Sequence, residues 1–138
     1  MKRTVLAFIS PFILLFALSA HAADKISPQT IAGATTVDTA KAKALFDDGA
    51  LFVDVRSNKD WGAGRIPDAA HIELKKVFNE ATLSKEAGKD EVIVIYCNGE
   101  SCLRSSNASA QAVGWGFAKI NYYRDGFPAW KKAGYPVE

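Results

Sequence analysis

Two runs along the chain are apolar and largely β-branched, with little of the alternation that marks a half-exposed strand. "LFVDV" (51–55) and "EVIVIY" (91–96) have the pattern of strands covered on both faces. Around them the period becomes helical. Ala42, Leu45 and Phe46 recur at helical spacing, Asp38 or Thr39 can cap that helix, and Gly49 ends it. A short strand is expected before it, around Val37. After "RSNKDWGAGRIPDAA" the pattern predicts a brief strand at "HIE" and a helix from Leu74 to Asn79. The Ala- and Ser-rich stretch from Leu103 to Gly114 has no proline and reads as a helix ending at Gly114 or Gly116. "KINYY" reads as another strand, and "GFPAWKKAG" as a closing helical turn. Strands alternating with helices predict an α/β domain: a central, mainly parallel sheet of about five strands with helices on both faces.

The amino-terminal segment follows a different rule. "MKRTVLAFISPFILLFALSAHA" begins with Lys2 and Arg3, continues as an apolar run from Val5 to Leu18, and closes on Ala20-His21-Ala22. That is the pattern of a cleaved export signal. The run is short for a membrane span, holds Pro11, and has no basic flank after it. Residues 1–22 are therefore expected to be removed near Ala22-Ala23, leaving a periplasmic or otherwise secreted chain. No cysteine lies near the cut to carry a lipid, so no stable membrane anchor is expected. Residues 23–34, broken by Pro28 and Gly33, read as a lead-in to a single domain at 35–138.

Removing the signal changes the charge. The chain carries 17 basic and 15 acidic residues, and without Lys2 and Arg3 the two signs balance. A nucleic-acid binder would show a basic surplus or stripe, and neither is present. The two cysteines, Cys97 and Cys102, share one segment, "YCNGESCLRSS". A disulfide-stapled scaffold would spread more of them along the chain, so this pair points to local chemistry. Two cysteines with one distant histidine, His71, do not form a zinc ligand set. No metal or cofactor is expected.

In a parallel sheet, ligands bind beyond the carboxyl ends of the strands. Asp54-Val55-Arg56 and Cys97 both fall there. A thiol between a strand and a helix faces the unpaired amides and partial positive charge of the helix start, which favour a thiolate. The amides of Asn98, Gly99, Glu100, Ser101, Cys102 and Leu103 can turn inward as an anion nest, and the Arg104 side chain adds a fork of donors. On residue type alone, Cys97 is open to three readings: nucleophile, half of a disulfide, or a packed residue at a strand end.

Three motifs in order resemble the rhodanese-like domain family. "LFVDVRSNKDWGAGRIPDAAHIEL" is similar to its first signature, "VIYC" with "RSSNASAQAVGWGF" to its active loop and following helix, and "YRDGFPAWKKAGYPVE" to its carboxyl-terminal signature. The resemblance spans roughly residues 35–138. It implies a sulfurtransferase in which Cys97 takes the outer sulfur of thiosulfate or a persulfide donor and passes it to a thiol or cyanide. The loop amides and Arg104 would hold the anion. Asp54 would be structural near the site, and Arg56 a possible further anion contact. The implied partners are a small anionic sulfur substrate and a thiol acceptor, with the chain a monomer or weak oligomer. Arg104 lies seven residues after Cys97, two more than in the common short form of the loop. Loop size separates sulfur from phosphate or arsenate chemistry in the superfamily. A phosphatase- or arsenate-reductase-like enzyme and a non-catalytic thiol redox or binding module are therefore the alternatives. Cys102 is either a redox partner of Cys97 or a small packed residue.

Overall fold

The computed structural model describes residues 25–138, so the export-signal reading lies outside the described residues. Five strands form one sheet: β1 (Thr35–Thr36), β2 (Leu51–Asp54), β3 (Ala70–His71), β4 (Val92–Tyr96) and β5 (Lys119–Tyr123). Their spatial order is β1-β5-β4-β2-β3, and every pairing is parallel. The helices are α1 (Thr39–Asp47), α2 (Asn58–Ala63), α3 (Glu80–Glu86), α4 (Arg104–Gly114) and α5 (Gly126–Lys132). This is the α/β architecture that the pattern predicts.

The strands β2 and β4 are apolar on both faces because helices cover both. On one face Val53, Ile93, Ile95 and Cys97 pack with Leu83 of α3 and with Ala108 and Ala112 of α4. On the other, Phe52, Val94 and Tyr96 pack with Ala42 of α1 and Trp130 of α5. Successive side chains of a strand point to opposite faces, so one run fills two cores. Trp130 is wholly buried, lies edge-on to Phe46 and Phe52, and donates its indole N–H to the Pro136 carbonyl at 2.8 Å.

Several boundaries differ from the sequence expectation. The β1 ladder pairs Thr35 and Thr36; Val37, just beyond, is buried and donates its N–H to the Tyr122 carbonyl. Leu74–Asn79 is not a helix. The Glu73 carbonyl accepts from the amides of Val77 and Phe78, both at 3.1 Å, and the turn stops because Asn79 is extended. Asn79 instead caps α3 in a reciprocal capping box with Thr82. The segment after Arg56, to which the pattern assigned no element, contains α2, capped by Ser57 and ended at Gly64, where φ is +142°. The lead-in is docked: Ser27 is buried, and the Tyr122 hydroxyl donates to the Pro28 carbonyl at 3.0 Å.

Candidate active site

Asp54 of β2 stands level with Tyr96 of β4, so both strands release their chains at the same edge of the sheet. Cys97 follows Tyr96 there, fully buried against the α4 face of the core. Its sulfur is bonded to that of Cys102, with the two Cα atoms 6.4 Å apart. The loop between them curls by its own backbone: Gly99 adopts φ +114°, and the Cys102 amide donates to the Gly99 carbonyl at 3.0 Å. The Cys102 amide, expected in the anion nest, is thus used by the loop's turn. The amides of Asn98, Gly99, Glu100, Ser101 and Leu103 have no acceptor among the described residues.

Two segments distant in sequence brace this loop. The Ser27 amide and hydroxyl both donate to the Glu100 carbonyl at 2.7 Å. Arg124 holds the Glu100 carboxylate at 3.2 Å and the Ser27 carbonyl at 2.9 Å. The Phe127 amide at the start of α5 donates to the Cys97 carbonyl at 2.9 Å. Gly126 makes that approach possible: its φ is +69°, and a Cβ there would sit 2.7 Å from the Gly99 nitrogen.

Both arginines are paired with a buried carboxylate. Arg56 is buried and grips Asp54 through Nε (3.0 Å to each oxygen) and Nη2 (2.6 Å). Its remaining side-chain hydrogen bonds are to the Gly64 carbonyl at 2.7 Å and the Asn98 side-chain oxygen at 3.4 Å. Nε and Nη2 are thus committed to Asp54 and Gly64, and among the described residues Nη1 has only the long bond to Asn98. Asn98 is pinned in turn, donating to Asp60 at 3.0 Å. Hydrogen bonds from Asn98 and then Ser57 hold the Asp60 carboxyl below its usual range, against a smaller opposing effect of burial.

Arg104 is not a free charge at the loop mouth. Its Nη1 is paired with the Glu73 carboxylate and donates to the Val55 carbonyl at 3.2 Å. Its Nε and Nη2 have no partner among the described residues. Burial opposes ionisation of Glu73, yet the Arg104 hydrogen bond and charge outweigh it and keep the carboxyl below its usual range. His71 lies to one side, its Nε2 3.0 Å from the Arg56 carbonyl and its ring stacked on Trp61 at 4.6 Å.

An open pocket of about 500 Å³ lies on the outer side of the loop, between Asn98–Ser101 and Asp125, Pro128, Ala129 and Lys132. A larger hollow of about 640 Å³ sits at the opposite edge of the sheet, near Glu86 and Glu91, away from both cysteines. Among the described residues no three His, Cys, Asp or Glu side chains gather to hold a metal, and no helix is long and apolar enough to cross a membrane.

Sequence reasoning missed Ser27, Asp60, Glu73 and Arg124. Asp60 had a local signal, the Ser57-x-x-Asp60 spacing of a helix start. Ser27 and Arg124 are 97 positions apart and had none.

The family model for the rhodanese-like domain matches residues 38–133. The thiosulfate sulfurtransferase GlpE of Pseudomonas syringae is 34% identical over 99 residues, covering 71% of this chain and 87% of that protein. The mitochondrial protein HIGH ARSENIC CONTENT 1 of Arabidopsis thaliana is 27% identical over 121 residues, covering 81% and 70%. Among solved structures, the BH2092 protein of Bacillus halodurans superposes with a TM-score of 0.67 at 30% identity, covering 75% of this chain and 76% of that one.

Proposed function

The chain belongs to the rhodanese-like domain family, and from that premise we propose that it is a sulfurtransferase working through Cys97. The observation that carries this is the position of Cys97, at the carboxyl end of β4 and joined to a loop that feeds directly into α4. The thiolate form, available once the bond to Cys102 is reduced, attacks the outer sulfur of thiosulfate. The sulfur–sulfur bond of thiosulfate breaks, sulfite leaves with the electron pair, and Cys97 keeps a persulfide. The acceptorless amides of the loop and the Nε and Nη2 donors of Arg104 are suited to the sulfonate end. A sulfurtransferase relative at 34% identity supports the reaction class; thiosulfate as donor and a thiol or cyanide as acceptor are part of the proposal.

We further propose that the chain acts after export, because residues 1–22 have the export-signal pattern and a Cys97–Cys102 bond persists best in an oxidising compartment. Amino-terminal sequencing of the exported protein should begin at Ala23.

The test of activity is the intact mass of the reduced protein after thiosulfate. It should gain one sulfur atom per chain or release sulfite in equal amount, and Cys97→Ser should do neither. Hydrolysis of an aryl phosphate, lost in Cys97→Ser and unaccompanied by sulfite release, would replace the sulfur reading with a phosphatase one.

A further inference from the structure

The Cys97–Cys102 bond joins two residues of unlike exposure. Cys97 is fully buried, whereas Cys102 is half-buried at the loop surface. Their proximity does not depend on the bond alone. The positive φ of Gly99 and the hydrogen bond from the Cys102 amide to the Gly99 carbonyl curl the loop. Ser27, Arg124 and Phe127 hold it from outside. After reduction, Cys102 therefore remains beside Cys97 as an intramolecular thiol, which an acceptor from solution must outcompete.

We propose that Cys102 resolves the sulfur carried on Cys97, so that the protein releases hydrosulfide and consumes a dithiol reductant. This rests on the sulfurtransferase reading above and names the acceptor. The Cys102 thiolate attacks the Cys97 Sγ and forms the bond seen here. The bond from Sγ to the outer sulfur breaks, and that sulfur leaves with the electron pair and takes a proton as hydrosulfide. The two cysteines are oxidised and the outer sulfur is reduced. A thiolate of the external dithiol then attacks Cys102, the more accessible half of the disulfide, and expels Cys97 as thiolate beside the start of α4. The second thiol of the same reductant displaces the mixed disulfide. The cycle converts thiosulfate and a dithiol into sulfite, hydrosulfide, a proton and the oxidised dithiol, with atoms and charge balanced.

The test is a single turnover of protein reduced with dithiothreitol, freed of reductant, and mixed with thiosulfate without oxygen. Sulfite, sulfide and free thiols are counted. The expected result is one sulfite and one sulfide per chain, with both thiols lost. In Cys102→Ser the sulfide is expected to disappear and one extra sulfur atom to remain on Cys97, located by peptide mass. Sulfite with no sulfide in the native chain, the sulfur remaining on Cys97 or moving to Cys102 as a persulfide, overturns the resolving role while leaving sulfur transfer intact. Absence of sulfite overturns both.

Discussion

The Arg104 guanidinium is paired with the Glu73 carboxylate, so the positive charge beside the cysteine loop is already partly neutralised by a neighbour on the β3 side. Glu73 is buried, and its second oxygen has no partner among the described residues. Such a pair fixes where Arg104 points more than it supplies stability, because desolvation offsets much of the Coulomb gain.

Removing the carboxylate charge should nevertheless be costly. In Glu73→Gln the Arg104 charge keeps its place and loses its counter-ion, at about 1.5–3 kcal/mol. The pH dependence has a definite sign. The folded Glu73 carboxyl lies below its ordinary value of 4.5, so its contribution is fully present above that pH and is lost as pH falls through the lowered folded value. Urea unfolding of both proteins at neutral pH and well below 4.5 should show the gap between them closing in acid. A gap of constant size would mean that the pair contributes nothing through its charge.

Arg56 offers a contrasting case, because its partner Asp54 is completely buried. Arg56→Lys preserves the charge but cannot span Asp54, Gly64 and Asn98 at once. It should lower stability by about 1–3 kcal/mol, the cost of leaving buried acceptors without a donor. The loss should show as a lower Tm, with the persulfide still forming on Cys97 at temperatures where the variant is folded. Loss of persulfide formation in a folded Arg56→Lys would instead make Arg56 an anion contact.

Gly126 tests the loop from the other side. An alanine there combines a left-handed backbone with a Cβ 2.7 Å from the Gly99 nitrogen and 3.0 Å from the Cys97 carbonyl carbon. Gly126→Ala should cost about 3 kcal/mol and push the cysteine loop away from α5. Gly134→Ala is the control: it shares the positive φ of +78° but has open space around it, so it should show backbone strain alone. A Gly126→Ala variant no less stable than Gly134→Ala would show that the close approach is relieved by small shifts.

What the sequence made legible was what local period and residue type determine. "EVIVIY" and "LFVDV" announced doubly covered strands, and the order of strands and helices announced the sheet. Cys97 was singled out because a thiol between a strand and a helix is chemically conspicuous. The partners of Arg56 and Arg104 were not legible, since chain crossings bring them within 3 Å or so. The helix expected at 74–79 failed for a local reason: Asn79 is a better cap for the next helix than an end for its own. Ser27 was passed over because a polar segment broken by proline and glycine looks the same whether it is free or docked.

That docked segment supports the last prediction. Ser27 gives the Glu100 carbonyl two hydrogen bonds, and Arg124 ties the Ser27 carbonyl and the Glu100 side chain to one guanidinium. A chain beginning at Thr30 loses every Ser27 bond but keeps the Arg124–Glu100 pair, β1 and both apolar clusters, so the domain should still fold. Ser27→Ala, which keeps the backbone donor, should cost only about 1 kcal/mol. The truncated chain should show faster reduction of the Cys97–Cys102 bond by dithiothreitol and faster amide exchange across 98–102, with exchange in β4 unchanged. Ser27→Ala should fall between the truncated and full chains. Equal reduction rates in all three would mean that α5 and the Gly99 turn hold the loop without help from the lead-in.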